Sequence, residues 1–213
     1  MQANKPAILV VMLFMMCSMG SATAAAQDLP WQITVTPDGG SRVFGLTLGK
    51  STLVDANRVF RLAPDVALFD TPGKPLAVEA YYSNVTLHGL RAKVVVELDL
   101  PKALLTSLRD RGLKRTPLEH GGRKIGLSNR DLAMLAEKPI ASITYIPTAN
   151  LEKETVAARF GEPEEKLPVD PETTFWLNPA KGLAIAVNKK GREVLQYVAP
   201  RDFDRIRRLL PKR

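Results

Sequence analysis

Two histidines, His88 and His120, are the residues of this sequence best suited to acid–base chemistry or metal binding. His120 follows Glu119, a pairing that a catalytic or metal site would use. The histidines are far apart in sequence, and neither belongs to the closely spaced clusters typical of zinc ligands. His88-Gly89 separates two strand-like patterns, where a turn is expected. The sequence therefore predicts no catalytic residue, no metal site and no cofactor, and an enzyme that uses either histidine is kept as an alternative.

A second candidate for chemistry is the Gly-Lys-Ser-Thr run at residues 49–52. It matches the end of a phosphate-binding loop, but Phe44 occupies the position that the first glycine of that motif requires. A helix start explains the run better. Thr52 and Asp55 have the spacing of a capping box, with the shorter acid in place of glutamate.

The first 26 residues have the pattern of a secretory signal peptide. Lys5 precedes a continuous apolar run at residues 7–16, and small residues follow it up to Ala24 and Ala26. The apolar run has about ten residues, whereas a membrane-spanning helix needs about twenty. We expect cleavage after Ala24 or Ala26 and a periplasmic or secreted protein. An uncleaved signal that anchors the chain to the inner membrane is the alternative.

The composition is that of a globular, basic protein. Hydrophobic residues make up 45% of the chain and charged residues 24%, and the formal net charge is +8. Cys17 is the single cysteine and lies in the predicted signal peptide, so no disulfide is expected. Met16 precedes Cys17, which favours a signal-peptide residue over a lipidation site. In an exported protein the positive charge indicates acidic protein surfaces, anionic lipid or lipopolysaccharide as partners, and not nucleic acid. A solvated basic surface that binds no partner is the alternative.

Hydrophobic periodicity predicts an α+β protein. Residues 31–36, 76–82 and 90–100 alternate apolar and polar side chains, as strands with one covered and one wet face do. Such alternation favours antiparallel sheets. Strands are also expected at Thr173–Asn178, Leu183–Asn188 and residues 192–198. Alternation places either Phe175 or Trp176 in the core and leaves the other partly exposed.

Capping residues predict the helices. Thr52, Ser128 and Asn150 are expected to cap helices, and the helix after Asn150 ends at Phe160-Gly161. A further helix is expected to begin with Pro101 as its first residue. A terminal helix would place Phe203, Ile206 and Leu210 on one face against the sheet. The alternative is a basic amphipathic helix that contacts an anionic surface.

A repeat with an offset of about a hundred residues organises these elements. We expect a signal peptide at residues 1–26, an α+β module at 27–100, a helical and basic connector at 101–138, and a related module at 139–213. Each module would pack a short helical segment on an antiparallel sheet. Exposed side chains of the connector and the C-terminal module form the predicted interaction surface: Arg115, Arg123, Lys124, Trp176, Arg201, Arg205 and Arg208.

Residues 150–198 resemble a known family. Glu154-Thr155-Val156, Arg159 to Pro163 and a hairpin that ends at Gly191 to Val194 are similar to the small outer-membrane assembly lipoproteins of the SmpA/OmlA type. The arrangement also resembles the tandem fold of β-lactamase inhibitory proteins. This chain lacks the lipidation cysteine of the lipoproteins. The resemblance implies a protein-binding module of the cell envelope without enzymatic activity.

The expected function is therefore an exported, non-enzymatic protein-binding or assembly factor of the bacterial cell envelope, with an unidentified envelope protein as partner. An inhibitor or regulator of a periplasmic enzyme is the first alternative. A small periplasmic hydrolase is the second.

Overall fold

The structure is a computed structural model that describes residues 28–119 and 121–210. The predicted signal peptide and His120 lie outside the described residues. Among those residues are the α-helices α1 (Leu53–Phe60), α2 (Lys102–Asp110), α3 (Asn129–Ala136), α4 (Lys153–Phe160) and α5 (Asp204–Leu209). The strands that precede α2 are β1 (Thr34–Val35), β2 (Ser41–Val43), β3 (Leu46–Thr47), β4 (Asp65–Asp70), β5 (Ala77–Leu87) and β6 (Leu90–Leu98). Those that follow it are β7 (Arg115–Pro117), β8 (Arg123–Gly126), β9 (Ile140–Pro147), β10 (Glu165–Pro168), β11 (Thr173–Asn178), β12 (Leu183–Asn188) and β13 (Val194–Val198).

A ten-stranded sheet runs through the whole molecule, in the order β10-β11-β12-β13-β9-β6-β5-β4-β8-β7. Every neighbouring pair is antiparallel, which confirms the predicted sheet type. A smaller sheet contains β1, β2 and β3. The outermost strands of the large sheet end in Pro117 and Pro168, which lack the N–H that further strand pairing requires.

Strand alternation divides the large sheet into a covered face and an open face. On β5, Val78, Ala80 and Tyr82 point to the covered face and are almost completely buried. The main hydrophobic cluster joins this face to α1, α3, α4 and the small sheet. The predicted hairpin between β5 and β6 is confirmed, with positive φ at His88 and Gly89. A tight two-residue hairpin turn favours positive φ at its central residues. His88 adopts this conformation, with a φ of 48°, and so forms the turn together with Gly89.

Local capping signals position the first and third helices as predicted. The Thr52 side chain accepts the Asp55 N–H, and the Asp55 carboxylate accepts the Thr52 N–H, which completes the capping box. Ser128 caps α3 in the same manner through the N–H of Asp131. Asp131 is buried and accepts two hydrogen bonds from Arg111, at 3.0 and 2.7 Å, so the end of α2 is fastened to the start of α3.

Three local predictions are wrong or shifted. Asn150 does not cap α4, which begins two residues further on after Glu152. With its amide oriented to suit its neighbours, Nδ2 of Asn150 lies 3.3 Å from the Glu193 carboxylate and is engaged there. Pro101 immediately precedes α2 and is not its first residue. In the segment 31–36, β1 is confined to two exposed residues.

The two halves of the chain share one sheet and one main core. Strand β6 of the first half pairs with β9 of the second over most of its length, and the connector adds β7 and β8 at one edge. The connector is therefore part of the sheet and contains two helices and a hairpin. The strands that precede the helices of the two halves also differ, since β3 before α1 lies in the small sheet and β9 before α4 lies at the centre of the large one.

The C-terminal helix α5 packs on the open face of the large sheet, in agreement with the prediction that its apolar side chains lie against the sheet. Phe203 and Ile206 are buried against Leu177, Ala184 and Val198. Within the described residues, none of the helices has the length and apolar character needed to cross a membrane.

Candidate binding groove

The open face of the large sheet forms the floor of a groove of about 870 Å³. Five adjacent strands supply that floor. Its side chains include, in sheet order, Phe69 of β4, Ala77 and Glu79 of β5, Val95 and Glu97 of β6, Ser142 and Thr144 of β9, and Gln196 and Val198 of β13. Polar and apolar side chains are interleaved, as on the wet face of an antiparallel sheet.

Two walls rise from this floor. The β4–β5 loop, residues 71–76, stands on one side, and the start of α2 adds Lys102 and Leu105. Helix α5 forms the opposite wall with Arg205, Arg208 and Leu209. Leu209 keeps 55% of its surface exposed, so this wall presents apolar surface as well as charge. The groove therefore offers both apolar and charged contacts to an extended chain segment.

Exposed cations border the groove, which also contains the carboxylates of Glu79, Glu97 and Asp99. Lys74, Lys102 and Arg208 line it, all three are exposed, and no described carboxylate forms an ion pair with them. Arg208 donates instead to the main-chain carbonyl of Asp204. Unpaired cations at a rim attract anionic groups from solution, and the attraction weakens with salt.

Two carboxylates meet on the floor. Glu79 and Glu97 are cross-strand partners on β5 and β6, where Cβ atoms lie about 5 Å apart. Burial raises the pKa of Glu79 above its ordinary value, and the neighbouring Glu97 carboxylate raises this pKa further. Glu97 is charge-compensated because Arg205 contacts it at 2.8 Å, and Ser142 donates to its other oxygen. The raised pKa of Glu79 thus occurs beside a carboxylate that is paired with Arg205, and acid–base catalysis also uses adjacent carboxyl groups.

The structure separates the residues of the predicted interaction surface. Arg205 and Arg208 lie on the wall of the groove. Lys124 is the register partner of Phe69 and forms an ion pair with Asp65, so it lies on the same face, one strand beyond the groove.

The remaining members lie elsewhere. Arg115 and Arg123 are exposed on the edge hairpin β7–β8. Arg201 is directed towards the N-terminal turn, where it donates to the Asp38 carbonyl at 2.9 Å. The residues of the predicted interaction surface therefore lie in at least three separate places and do not form one continuous surface.

Trp176 belongs to the core and not to an interaction surface. It is 2% exposed, pairs in register with Ile185 on β12 and joins the main cluster. Lys166 covers its ring at 4.8 Å. Phe175 is the partly exposed member of the pair, as alternation allowed. The prediction failed for Trp176 because alternation does not say which face of a strand the helices will cover.

The sequence reading missed Lys74, Lys102, Glu79 and Glu97 as groove residues. A signal for the two acids was present, since the alternation of residues 76–82 and 90–100 directs both to the wet face. Their pairing depends on the register of the β5–β6 hairpin. Lys74 and Lys102 reach the groove through a loop and a helix start that no periodic pattern describes.

In the described parts of the chain, no group of three or more His, Cys, Asp or Glu side chains is placed so that it could hold a metal ion. Comparison with known proteins adds no identity, since no protein family, curated protein or solved structure matches the chain.

Proposed function

We propose that this chain is an exported, non-enzymatic protein-binding or assembly factor of the bacterial cell envelope, and that it docks its partner in the groove on the open sheet face. The observation that carries the proposal is the groove itself. It spans five strands, has a volume of about 870 Å³, and is bordered by the exposed cations Lys74, Lys102 and Arg208. An extended segment of a partner with acidic side chains matches this shape and charge.

Rigid support favours binding at this place. The floor consists of antiparallel strands paired on both sides, and α5 is held by Phe203 and Ile206 in a separate small core. Arg205 fastens the wall to the floor through Glu97 and approaches Asp99 at 3.9 Å. Preorganised surfaces lose less conformational entropy when a partner binds.

The two-module organisation is part of this proposal. Helix α1 leads into the antiparallel strands β4, β5 and β6, and helix α4 leads into β10, β11, β12 and β13. The common order supports related halves that join through β6 and β9. The groove would then lie across the junction, and a partner would contact both modules.

Export rests on the signal pattern of residues 1–26, and the envelope location is proposed on that ground. An inhibitor or regulator of an envelope enzyme is the same binding protein with one dominant enzyme as its partner. A stoichiometric complex with a single enzyme would select that version, whereas several envelope partners would favour an assembly factor.

Site-specific photocrosslinking in living cells tests the docking surface. A photoreactive amino acid is placed at Lys102 or Arg208 on the groove, and at Arg58 as the control. Arg58 is an exposed basic residue on α1, with 74% of its side chain accessible. We expect discrete adducts with an envelope protein from the two groove positions and none from position 58.

A charge test accompanies the crosslinking. Lys102→Glu combined with Arg208→Glu should lower the yield of the adduct formed from a photoreactive residue at Gln196, while Arg58→Glu should leave it unchanged. Identical adducts from all positions, or no adducts from the groove, would overturn the proposal.

A hydrolase is the second candidate, because Glu79 and Glu97 form a carboxylate pair in which one member has a raised pKa. Glu79→Gln and Glu97→Gln each remove one ionisable group with little change of shape. If both variants restore the phenotype of a deletion strain as well as the unchanged protein does, carboxylate catalysis in the groove is excluded.

A further inference from the structure

A second concave site lies apart from the groove, among residues of the covered side and the N-terminal segment. It has a volume of about 350 Å³, within the range of small-molecule pockets. Mainly apolar side chains dominate its lining: Pro30, Trp31, Leu90, Pro147, Leu151, Phe160 and Leu195. Arg91, Tyr145 and Thr148 are the members with polar side chains. Water in such a pocket finds few hydrogen-bond partners, so an apolar ligand gains by replacing it.

Long-range hydrogen bonds hold the walls of the pocket in place. The buried Tyr197 hydroxyl donates to the Pro30 carbonyl at 3.0 Å and fixes the N-terminal segment against β13. The Leu151 N–H donates to the Glu193 carboxylate at 2.7 Å, and the Thr148 N–H donates to the Arg91 carbonyl at 2.8 Å. The pocket is therefore assembled from segments distant in sequence, each with its own anchor.

Aromatic side chains form one wall. Trp31 meets the edge of Phe160 with ring centroids 6.2 Å apart, and Tyr145 stacks on Phe44 behind the lining. The Arg159 guanidinium lies over the Trp31 ring at 4.8 Å. A hydrocarbon chain against this wall would bury apolar area at roughly 25 cal/mol per Å².

Two cations flank the apolar wall. Arg91 lines the pocket and is exposed, and Arg159 is exposed on the last turn of α4. Neither forms an ion pair with a described carboxylate. An apolar interior with free guanidinium groups beside it matches a ligand with a hydrocarbon chain and one anionic head.

We propose that the Trp31 pocket binds a single-chain anionic amphiphile of the fatty-acid class, with its hydrocarbon chain between Trp31, Phe160 and Leu195 and its carboxylate at Arg91 and Arg159. This site goes beyond the proposed protein-binding function and does not depend on the groove. The same chemistry has two sources, a free amphiphile and an acyl chain in a membrane. The pocket takes the free amphiphile, because its volume accommodates one chain.

Calorimetric titration of the mature chain with sodium dodecanoate, below its micelle concentration, tests the proposal. We expect saturable binding with one site per chain, and a change in tryptophan fluorescence as Trp31 is covered. Dodecanol, with the same chain and no charge, should bind more weakly.

Two variants define the site. Arg91→Gln combined with Arg159→Gln should weaken dodecanoate binding about tenfold, the effect of two exposed ion pairs, and leave dodecanol binding unchanged. Arg58→Gln is the matched control, since Arg58 occupies the last turn of α1 as Arg159 does that of α4, and it should change neither affinity. Ala149→Trp places a large ring beside the exposed edge of the pocket and should reduce the binding of both ligands.

Several outcomes would overturn the proposal. They are the absence of saturable dodecanoate binding, equal affinity in the double arginine variant, and no effect of Ala149→Trp. Binding to phosphatidylglycerol vesicles that disappears with salt, together with no binding of free dodecanoate, would assign the lipid contact to the basic surface. Because the groove residues are unchanged in all these variants, photocrosslinking from Lys102 reports on the protein-binding function separately.

Discussion

The two faces of the large sheet are built from the same strands but have different neighbours. On β5, Tyr82 points to the covered face and is 1% exposed, whereas the next-door Tyr81 points to the open face and is 36% exposed. Tyr82 is surrounded by Phe60 and the rest of the main cluster and donates to the Asn57 side chain at 2.6 Å. Tyr81 has no comparable cover. One strand therefore supplies a core and a wet surface at successive residues.

This difference assigns separate roles to the two faces: the covered face contributes most of the stability, and the open face has the surface available for binding. Helices α1, α3 and α4 and the small sheet cover most of this face, so substitutions of its buried residues act on folding. On the open face, α5 covers the strands around Leu177 and leaves the groove beside it accessible. Stability is thus concentrated on one side, and the other side retains charged and mixed surface for a partner.

The largest expected effect separates the two faces directly. Trp176→Ala should reduce the free energy of unfolding by about 3–5 kcal/mol, because it removes a large side chain from the main core and leaves a cavity. Tyr81→Ala on the open face should cost less than about 1 kcal/mol. Urea denaturation of both variants measures the difference. If Trp176→Ala lost as little stability as Tyr81→Ala, Trp176 would not be a core residue, and its predicted place on an interaction surface would stand again.

A smaller effect is expected where α5 meets the open face. Phe203→Ala should destabilise the protein by about 3 kcal/mol, since Phe203 is 4% exposed in the small core with Leu177. Leu209→Ala is the control on the same helix and should remain within about 0.5 kcal/mol, because Leu209 is largely exposed.

Hydrogen exchange of α5 sharpens this test. Loss of protection confined to α5 in Phe203→Ala would show that the helix opens separately from the sheet. Unchanged protection together with unchanged stability would contradict the packing of α5 on the open face. In that case the basic helix would be available to an anionic surface, the alternative that its sequence pattern also allows.

Much of the local structure could be predicted because its signals are short in range. Thr52 and Asp55 are three residues apart and define the start of α1 by themselves, and Ser128 does the same for α3. The alternation over β5 and β6 fixes both strands and the turn at His88-Gly89. None of these predictions required knowledge of what the elements pack against.

The site depends on contacts that are distant in the chain. Arg205 and Glu97 are 108 residues apart, and α5 becomes a wall of the groove only because it packs on β11, β12 and β13. The basic segment of the connector has no strand pattern in its sequence, because glycines and charged residues interrupt its two short strands, β7 and β8. Strand β8 forms there because it pairs with β4, a contact that the composition of the segment does not encode.

The smallest expected effect concerns Glu79, the half-buried acid on the open face. Its pKa is raised, so the folded state binds this proton more tightly than the unfolded state does, and ionisation of Glu79 costs stability. The cost is fully present above the folded pKa and disappears as the pH falls below the ordinary value of 4.5. Glu79→Gln should therefore be more stable than the unchanged protein at pH 7, and the two should converge below pH 4.5.

Glu97→Gln is the matched control for this prediction, because it removes the same charge from the neighbouring strand but also breaks the contact with Arg205. Glu97→Gln should not increase stability at pH 7. Loss of the ion pair with Arg205 offsets the stability gained when the repulsion between the Glu97 and Glu79 carboxylates is removed. Denaturation curves for both variants at pH 7 and pH 4 decide the matter. A gain for Glu79→Gln that persists at pH 4 would point to better packing of glutamine. Equal stability of Glu79→Gln and the unchanged protein at both pH values would mean that water hydrates Glu79 as fully as it does an exposed glutamate. The groove floor would then contain no desolvated carboxyl group that a partner could contact.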